Sequence, residues 1–198
     1  MATLQDDIIQ AIFKTKNSFK GHSAYSEKPG LYAFILAEKS DLKIFGKGGQ
    51  VIYVGKAEDS LTKRDLKTHF SDRGTGRSTL RRSIGSIFKT DFRSIAFTRN
   101  GTLDQTAIDK YKFDSVGENK LTLWMKQNLE IGFWEFDNEK ESETLYDLER
   151  KVINKLRPTL DLDPRTEKSN IYADRLTALR QFCKNEARQN AKTKRVWF

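Results

Sequence analysis

The sequence predicts an α/β protein of the α+β type, and three features carry that reading. Two short apolar runs, Leu31-Tyr32-Ala33-Phe34-Ile35-Leu36 after Pro29-Gly30 and Val51-Ile52-Tyr53-Val54 after Gly48-Gly49, have the length and punctuation of strands joined by a loop. Residues 141–156 hold the clearest helical periodicity in the chain, and Pro158 ends it. Ile131 to Phe136 reads as a further strand.

An antiparallel pair is the simplest arrangement of the first two strands. The period of two then places Tyr32 with Phe34, and Tyr53 with Val51, so that both phenols can converge. Asp59-Ser60 suits the cap of a helix over residues 61–70, and Ser78-Thr79 the cap of another over residues 80–88. Residues 93–97 suit a strand and 121–128 a helix, while the stretch from Asn100 to Lys120 lacks periodicity and reads as a surface insertion of about 98–120. A last helix, from about Tyr172 to Asn190, places Leu176, Leu179, Cys183 and Ala187 on one stripe with Arg180, Lys184 and Arg188 beside it. The expected organisation is one domain over residues 1–165, with its core at 29–162, and a basic helical extension over 166–198.

With 198 residues the chain is long enough to bury a core unaided by disulfides. No stretch approaches the roughly 20 apolar residues of a membrane span, and the polar N-terminus lacks the pattern of a secretory signal, so a cytoplasmic protein is expected. A single cysteine, Cys183, excludes an internal disulfide and a cysteine-based zinc site, and two histidines, His22 and His69, cannot build a histidine cage. Any metal must be held by oxygen. The net charge of +9 is uneven: residues 61–93 carry nine basic and three acidic side chains, residues 174–198 seven and two, whereas residues 130–150 carry eight acidic and two basic. Two basic surfaces attract phosphate backbones, although solvated helix faces give the same pattern.

On the helix over 141–156, Leu145, Leu148, Val152, Ile153 and Leu156 form one apolar arc at 100° per residue, and Glu149 falls inside it. A carboxylate aimed at a core needs a cation, a metal or a dense set of hydrogen bonds, which makes Glu149 a candidate metal ligand; a buried ion pair is the structural alternative. His69 shares a side of its helix with Leu61, Leu66 and Phe70, where a satisfied core histidine is the plainer reading.

Pro29-Gly30-Leu31-Tyr32, then Ile52-Tyr53-Val54-Gly55-Lys56-Ala57, then Arg64 and His69, then Leu148-Glu149 ahead of Pro158 resemble the GIY-YIG nuclease superfamily in that order. The Tyr53 to Ala57 segment is close to the excinuclease C form, and Ser78-Thr79-Leu80-Arg81-Arg82-Ser83 is similar to small standalone bacterial members. The resemblance implies a three-stranded antiparallel sheet flanked by helices and hydrolysis of a DNA phosphodiester with one divalent cation. It assigns Glu149 to Mg²⁺ or Mn²⁺, Tyr53 or Tyr32 to deprotonation of water, Arg64 to the scissile phosphate, His69 to orienting a tyrosine or sharing the proton, and Gly30 and Gly55 to close backbone approach.

Lys56 and Lys63 are candidates to favour a phenolate and bind substrate, Arg77, Arg81 and Lys63 stand as substitutes for Arg64, and Arg180, Lys184 and Arg188 as phosphate contacts. Two departures stand out. Many members place the Arg four residues before the His, whereas Arg64 and His69 are five apart, which either a distorted helix or another Arg would resolve; and Asp161 replaces an Asn after Pro158-Thr159-Leu160, where it can accept hydrogen bonds or join the metal shell. The expected partner is DNA, with a homodimer favoured if one site per chain must cut both strands. A non-catalytic DNA-binding module and a merely solvated structural protein are the rivals.

Overall fold

The computed structural model describes residues 3–21, 26–71 and 74–193, with residues 64–67 described by their backbone alone. In chain order these form α1 (Leu4–Thr15), β1 (Asn17–Ser18), β2 (Gly30–Leu36), β3 (Val51–Ala57), a helix of i→i+5 type (Thr62–His69) and α2 (Thr79–Ile87). They continue as α3 (Lys89–Phe92), β4 (Ala96–Phe97), α4 (Gln105–Asp109), β5 (Lys112–Phe113), α5 (Ser115–Asn128), β6 (Leu129–Glu135), α6 (Leu145–Leu156) and α7 (Ala173–Lys192). The chain divides into two compact units, Met1–Lys67 with Lys126–Ala173 and Thr68–Met125 with Asp174–Phe198. The domain expected over residues 1–165 is thus interrupted, and α7 belongs to the second unit.

The first unit is built on an antiparallel sheet in the order β1-β6-β2-β3. The three long strands match the expected sheet, and the two-residue β1 adds a fourth at the edge beside β6. Every residue of β2 is buried, because a central strand covered on both faces needs a continuous apolar run rather than an alternating one. One face carries Leu31, Ala33, Ile35 and Val54, packed with Ile8 and Ile12 of α1 and Leu145, Leu148, Val152 and Ile153 of α6. Thr144 caps α6 by accepting from the Asp147 amide, so the helix starts later than the expected residue 141, and Arg157 closes it in the left-handed region at φ 47°.

Register explains the two glycines. Tyr32 pairs with Gly55 and Phe34 with Tyr53, so these four side-chain positions share the face opposite the α1–α6 core. A Cβ at position 55 would lie 2.5 Å from the Tyr32 hydroxyl, and one at position 30 would meet the Trp134 carbonyl oxygen. Both glycines serve close approach rather than a left-handed turn. A bulge between Phe34 and Ile35 sets Val51 opposite Ile35. Val51 therefore packs against the α1–α6 core rather than beside Tyr53, which corrects the simple alternation expected over 51–53.

The second unit holds the two-stranded β4–β5 sheet and the helices α2, α3, α4 and α7 with most of α5. Asp104 caps α4; residues 99–106 are exposed, as expected of a surface insertion, but Ala107, Ile108, Tyr111, Phe113 and Glu118 are buried, so the second half of the expected insertion over 98–120 contributes to the core. A five-residue helix and a two-residue strand are too short to imprint a period on the sequence. The expected extension is likewise core: Leu176, Cys183 and Ala187 are buried, Asn190 donates to the Ala96 carbonyl, and Glu186 accepts from Lys89 and the Ala96 amide.

Gly55→Ala is expected to cost about 1–3 kcal/mol in chemical denaturation, because the added methyl group overlaps the Tyr32 phenol. An unchanged unfolding midpoint would refute that packing.

Candidate active site

Tyr32 and Tyr53 come together as their alternation predicts. Their ring centroids lie 6.3 Å apart, and Phe34 stands 5.8 Å from the Tyr32 ring and 6.4 Å from that of Tyr53. Tyr32 is fully buried, while Tyr53 keeps part of its surface. Of the pair, Tyr53 is thus the phenol open to water.

The helix that follows explains the odd spacing of Arg64 and His69. Ser60 Oγ accepts from the Lys63 amide at 3.2 Å, and the Leu61 and Thr62 amides donate to the Lys28 and Ser26 carbonyls, which anchors the helix start. Over Thr62–His69 the backbone winds with i→i+5 hydrogen bonds. Such winding holds more residues per turn than an α-helix, so positions 64 and 69 lie nearer to one side than α-helical winding would put them. The distortion that the five-residue spacing calls for is therefore present in the backbone; the Arg64 side chain lies outside the described residues.

His69 is fully buried, and its Nδ1 lies 2.7 Å from Ser78 Oγ, the capping hydroxyl of α2. In the same unit Arg81 is sealed from solvent. Its Nη2 meets Glu118 Oε2 at 2.7 Å, its Nε donates to Thr75 Oγ1 and its Nη1 to the His69 carbonyl. A guanidinium so committed cannot reach a phosphate, which corrects the candidacy of Arg81. Arg77 is exposed, as is Lys63 in the first unit.

The row on α7 is uneven. Lys184 pairs with Asp109 at 2.6 Å and holds that carboxyl below its usual range, whereas Arg188 reaches only the neutral Gln105 at 3.4 Å, and Arg180 is half-buried.

Glu149 lies where the apolar arc of α6 puts it, 8% exposed, on the helix that covers the sheet face opposite the two phenols. Its Oε2 accepts from Arg165 Nη2 at 2.8 Å, so the ion-pair alternative is realised. Burial nevertheless pushes the Glu149 carboxyl up, against the opposing pull of Arg165 and of Lys56.

Arg165 is the residue that sequence reasoning missed. Its Nε donates to both oxygens of Asp163 at 2.8 Å, its Nη2 pairs with Asp163 as well, and its guanidinium carbon sits 3.8 Å from the centre of the Tyr146 ring. The other side of that site is Lys56, 5.8 Å from the Tyr146 ring centre and paired with Glu58. A cavity of about 450 Å³ adjoins, lined by Lys56, Tyr146, Glu58, Glu143, Pro29 and Phe136 among others. The signal for Arg165 was the Asp161-Leu162-Asp163-Pro164-Arg165 run just past the helix, whose charges have no period to expose them.

Asp161 accepts from the Asp163 amide at 3.0 Å and from Thr166 Oγ1 at 2.8 Å, the hydrogen-bonding one of its two expected roles; burial pushes its carboxyl up. Among the described residues no group of three His, Cys, Asp or Glu side chains is placed to hold a metal ion. Glu149 Oε1 makes no hydrogen bond among them, and one free carboxylate oxygen suits a hard cation whose other positions go to water and phosphate oxygens. The residues thus fit a cation that arrives with its substrate, not a preformed cage. No helix among the described residues is long and apolar enough to cross a membrane.

Compared with known proteins, residues 27–182 match the GIY-YIG catalytic domain family, a span that takes in both tyrosine motifs, Glu149 and Arg165. The match supports a nuclease-type function. No curated protein and no solved structure matches the chain.

Folding raises the Glu149 pKa, so the folded chain holds that proton more tightly than the unfolded one, and stability falls as pH rises through the raised value. Glu149→Gln mimics the protonated form and still accepts from Arg165. Its melting temperature is expected to exceed that of the parent at about pH 8, with the gap closing towards about pH 4. A gap that does not vary with pH would contradict the desolvation of Glu149.

Proposed function

We propose that this chain, which belongs to the GIY-YIG catalytic domain family, is a divalent-metal-dependent DNA endonuclease acting in restriction, defence or repair in the cytoplasm. The observation that carries the reading is Glu149, a carboxylate that the fold places in an apolar arc at the cost of its own ionisation, with one oxygen left open. Glu149 would hold Mg²⁺ or Mn²⁺, which when bound offsets phosphate charge and acidifies water.

The remaining work falls to the protein. Tyr53, the partly exposed phenol of the pair, would take the proton of the attacking water with Tyr32 packed against it; α6 and Glu149 lie over the other sheet face, so the two groups would meet only around the edge strand β3. Arg64, five residues before His69 on the i→i+5 helix, binds the scissile phosphate and offsets its developing charge. Ser78 fixes the His69 ring, so that His69 orients its neighbours rather than moving itself. Lys56 and Lys63 add positive charge near the substrate, and Arg77, Arg180 and Arg188 supply phosphate contacts without sequence preference. Cutting both strands from one site per chain needs two copies on the duplex, at least transiently.

Supercoiled plasmid should be nicked with Mg²⁺ or Mn²⁺, and Glu149→Gln should lower the rate on the order of a thousandfold, the loss of several kcal/mol of charge stabilisation. Full activity in that variant would sink the catalytic role of Glu149. The engagement of Glu149 by Arg165 favours a second reading, a DNA-binding module without catalysis, and salt-dependent binding with no cleavage under any cation would establish it.

Replacing Arg180 and Arg188 together with Ala should reduce the salt slope of DNA binding by about 2, whereas Lys184→Ala, whose charge Asp109 already offsets, should change it less. Equal effects from all three positions would remove the distinction.

A further inference from the structure

Arg165 sits on one of the two carboxylate oxygens of Glu149, Oε2, and offsets the charge that would draw a cation to the other. Of its contacts, those to Asp163 and to the Tyr146 ring hold the guanidinium in place without Glu149. Its Nη1 also reaches the Tyr146 carbonyl at 3.4 Å. The contact to Glu149 is a single hydrogen bond from Nη2. Breaking it leaves the guanidinium anchored on a carboxylate, so release is local and costs one charge-assisted bond rather than an orphaned charge.

Accessibility separates this pair from the buried one in the other unit. The side chains of Arg165 and Glu149 are 20% and 11% exposed, against 0% and 1% for Arg81 and Glu118. Solvent and ions reach the first pair and not the second.

We infer that Arg165 is a place-holder, a positioning residue that neutralises Glu149 in the free protein and gives up that carboxylate oxygen when a divalent cation binds, while Asp163 and Tyr146 keep it at the site. The inference rests on Glu149 being the metal ligand. It makes cation binding without DNA weak, because the ion meets a carboxylate whose charge the Arg165 guanidinium already offsets. DNA phosphates tip the exchange by offering the freed guanidinium a second anion and the metal further oxygen ligands.

The test is titration of Mn²⁺ alone into the DNA-free full chain, read by calorimetry and by the electron paramagnetic resonance of free Mn²⁺. Arg165→Gln should bind Mn²⁺ on the order of fivefold more tightly than the parent, the size expected for removal of a partly exposed ion pair. Unchanged or weaker binding would overturn the inference. Glu149→Gln should abolish the Mn²⁺ site, and if it does not, the reading of Glu149 as ligand fails instead, which keeps the two failures apart.

Should Arg165→Gln not fold, the parent chain answers the question by itself. The Arg165 Nη2–H resonance, whose bond to Glu149 would break, should move with Mg²⁺ over the same concentration range as the binding isotherm. A resonance that stays still through saturation would refute displacement of the guanidinium.

Discussion

The pairing of β2 with β3 is the constraint on which the first unit depends. Tyr32 lies opposite Gly55 and Phe34 opposite Tyr53, and the hydroxyl of Tyr32 occupies the space a side chain at position 55 would need. A slip of β3 by one residue against β2 would turn Tyr53 towards the α1–α6 core and Val54 to the other face. The bulge after Phe34 ends this strict pairing and returns Val51 to the core, so aromatic residues gather on one face and aliphatic ones on the other. A glycine in this register is a packing requirement, and it ties the two motifs to one another across the ladder.

The two units treat desolvated charge differently. Arg81 and Glu118 are closed off and fully hydrogen-bonded with Thr75 and the His69 carbonyl, which also holds the start of α2 against the end of the i→i+5 helix. Such a pair specifies a fold but is closed to ligands. Glu149 and Arg165 use the same chemistry at a place that solvent reaches, with the carboxyl still pushed up by burial. A pair that solvent reaches suits a site, whereas one that is sealed and satisfied suits a core. His69 and Ser78 belong to the sealed kind, and this gives the histidine a fixed ring rather than a mobile one.

The Thr62–His69 helix shows how an unusual spacing becomes an ordinary neighbour relation. Five residues overshoot an α-helical turn widely, and they overshoot it less when each amide reaches the fifth carbonyl back. The extra residue is accommodated by the winding of the backbone. Anchoring of its first turn by Ser60 and by the Ser26 and Lys28 carbonyls sets where that winding begins.

Much of the first unit was legible in the sequence because its elements are long enough to show a period. The all-apolar run of β2, the arc of α6 with Glu149 inside it, and the paired tyrosine motifs follow from residue order alone, since side-chain direction within one element is set by 3.6 or 2 residues per repeat. The short pieces between residues 98 and 120 left no such trace, and their burial comes from long-range packing with α2 and α7. The fate of each charge was also beyond the sequence. Arg81 and Arg165 are both arginines in charged stretches, yet one is locked in a core and the other lies on the candidate metal ligand. By itself the sequence determined that a carboxylate would face an apolar surface at position 149. Only the tertiary structure decided which cation meets it, because a partner from another segment is chosen by distance and desolvation, which periodicity does not encode.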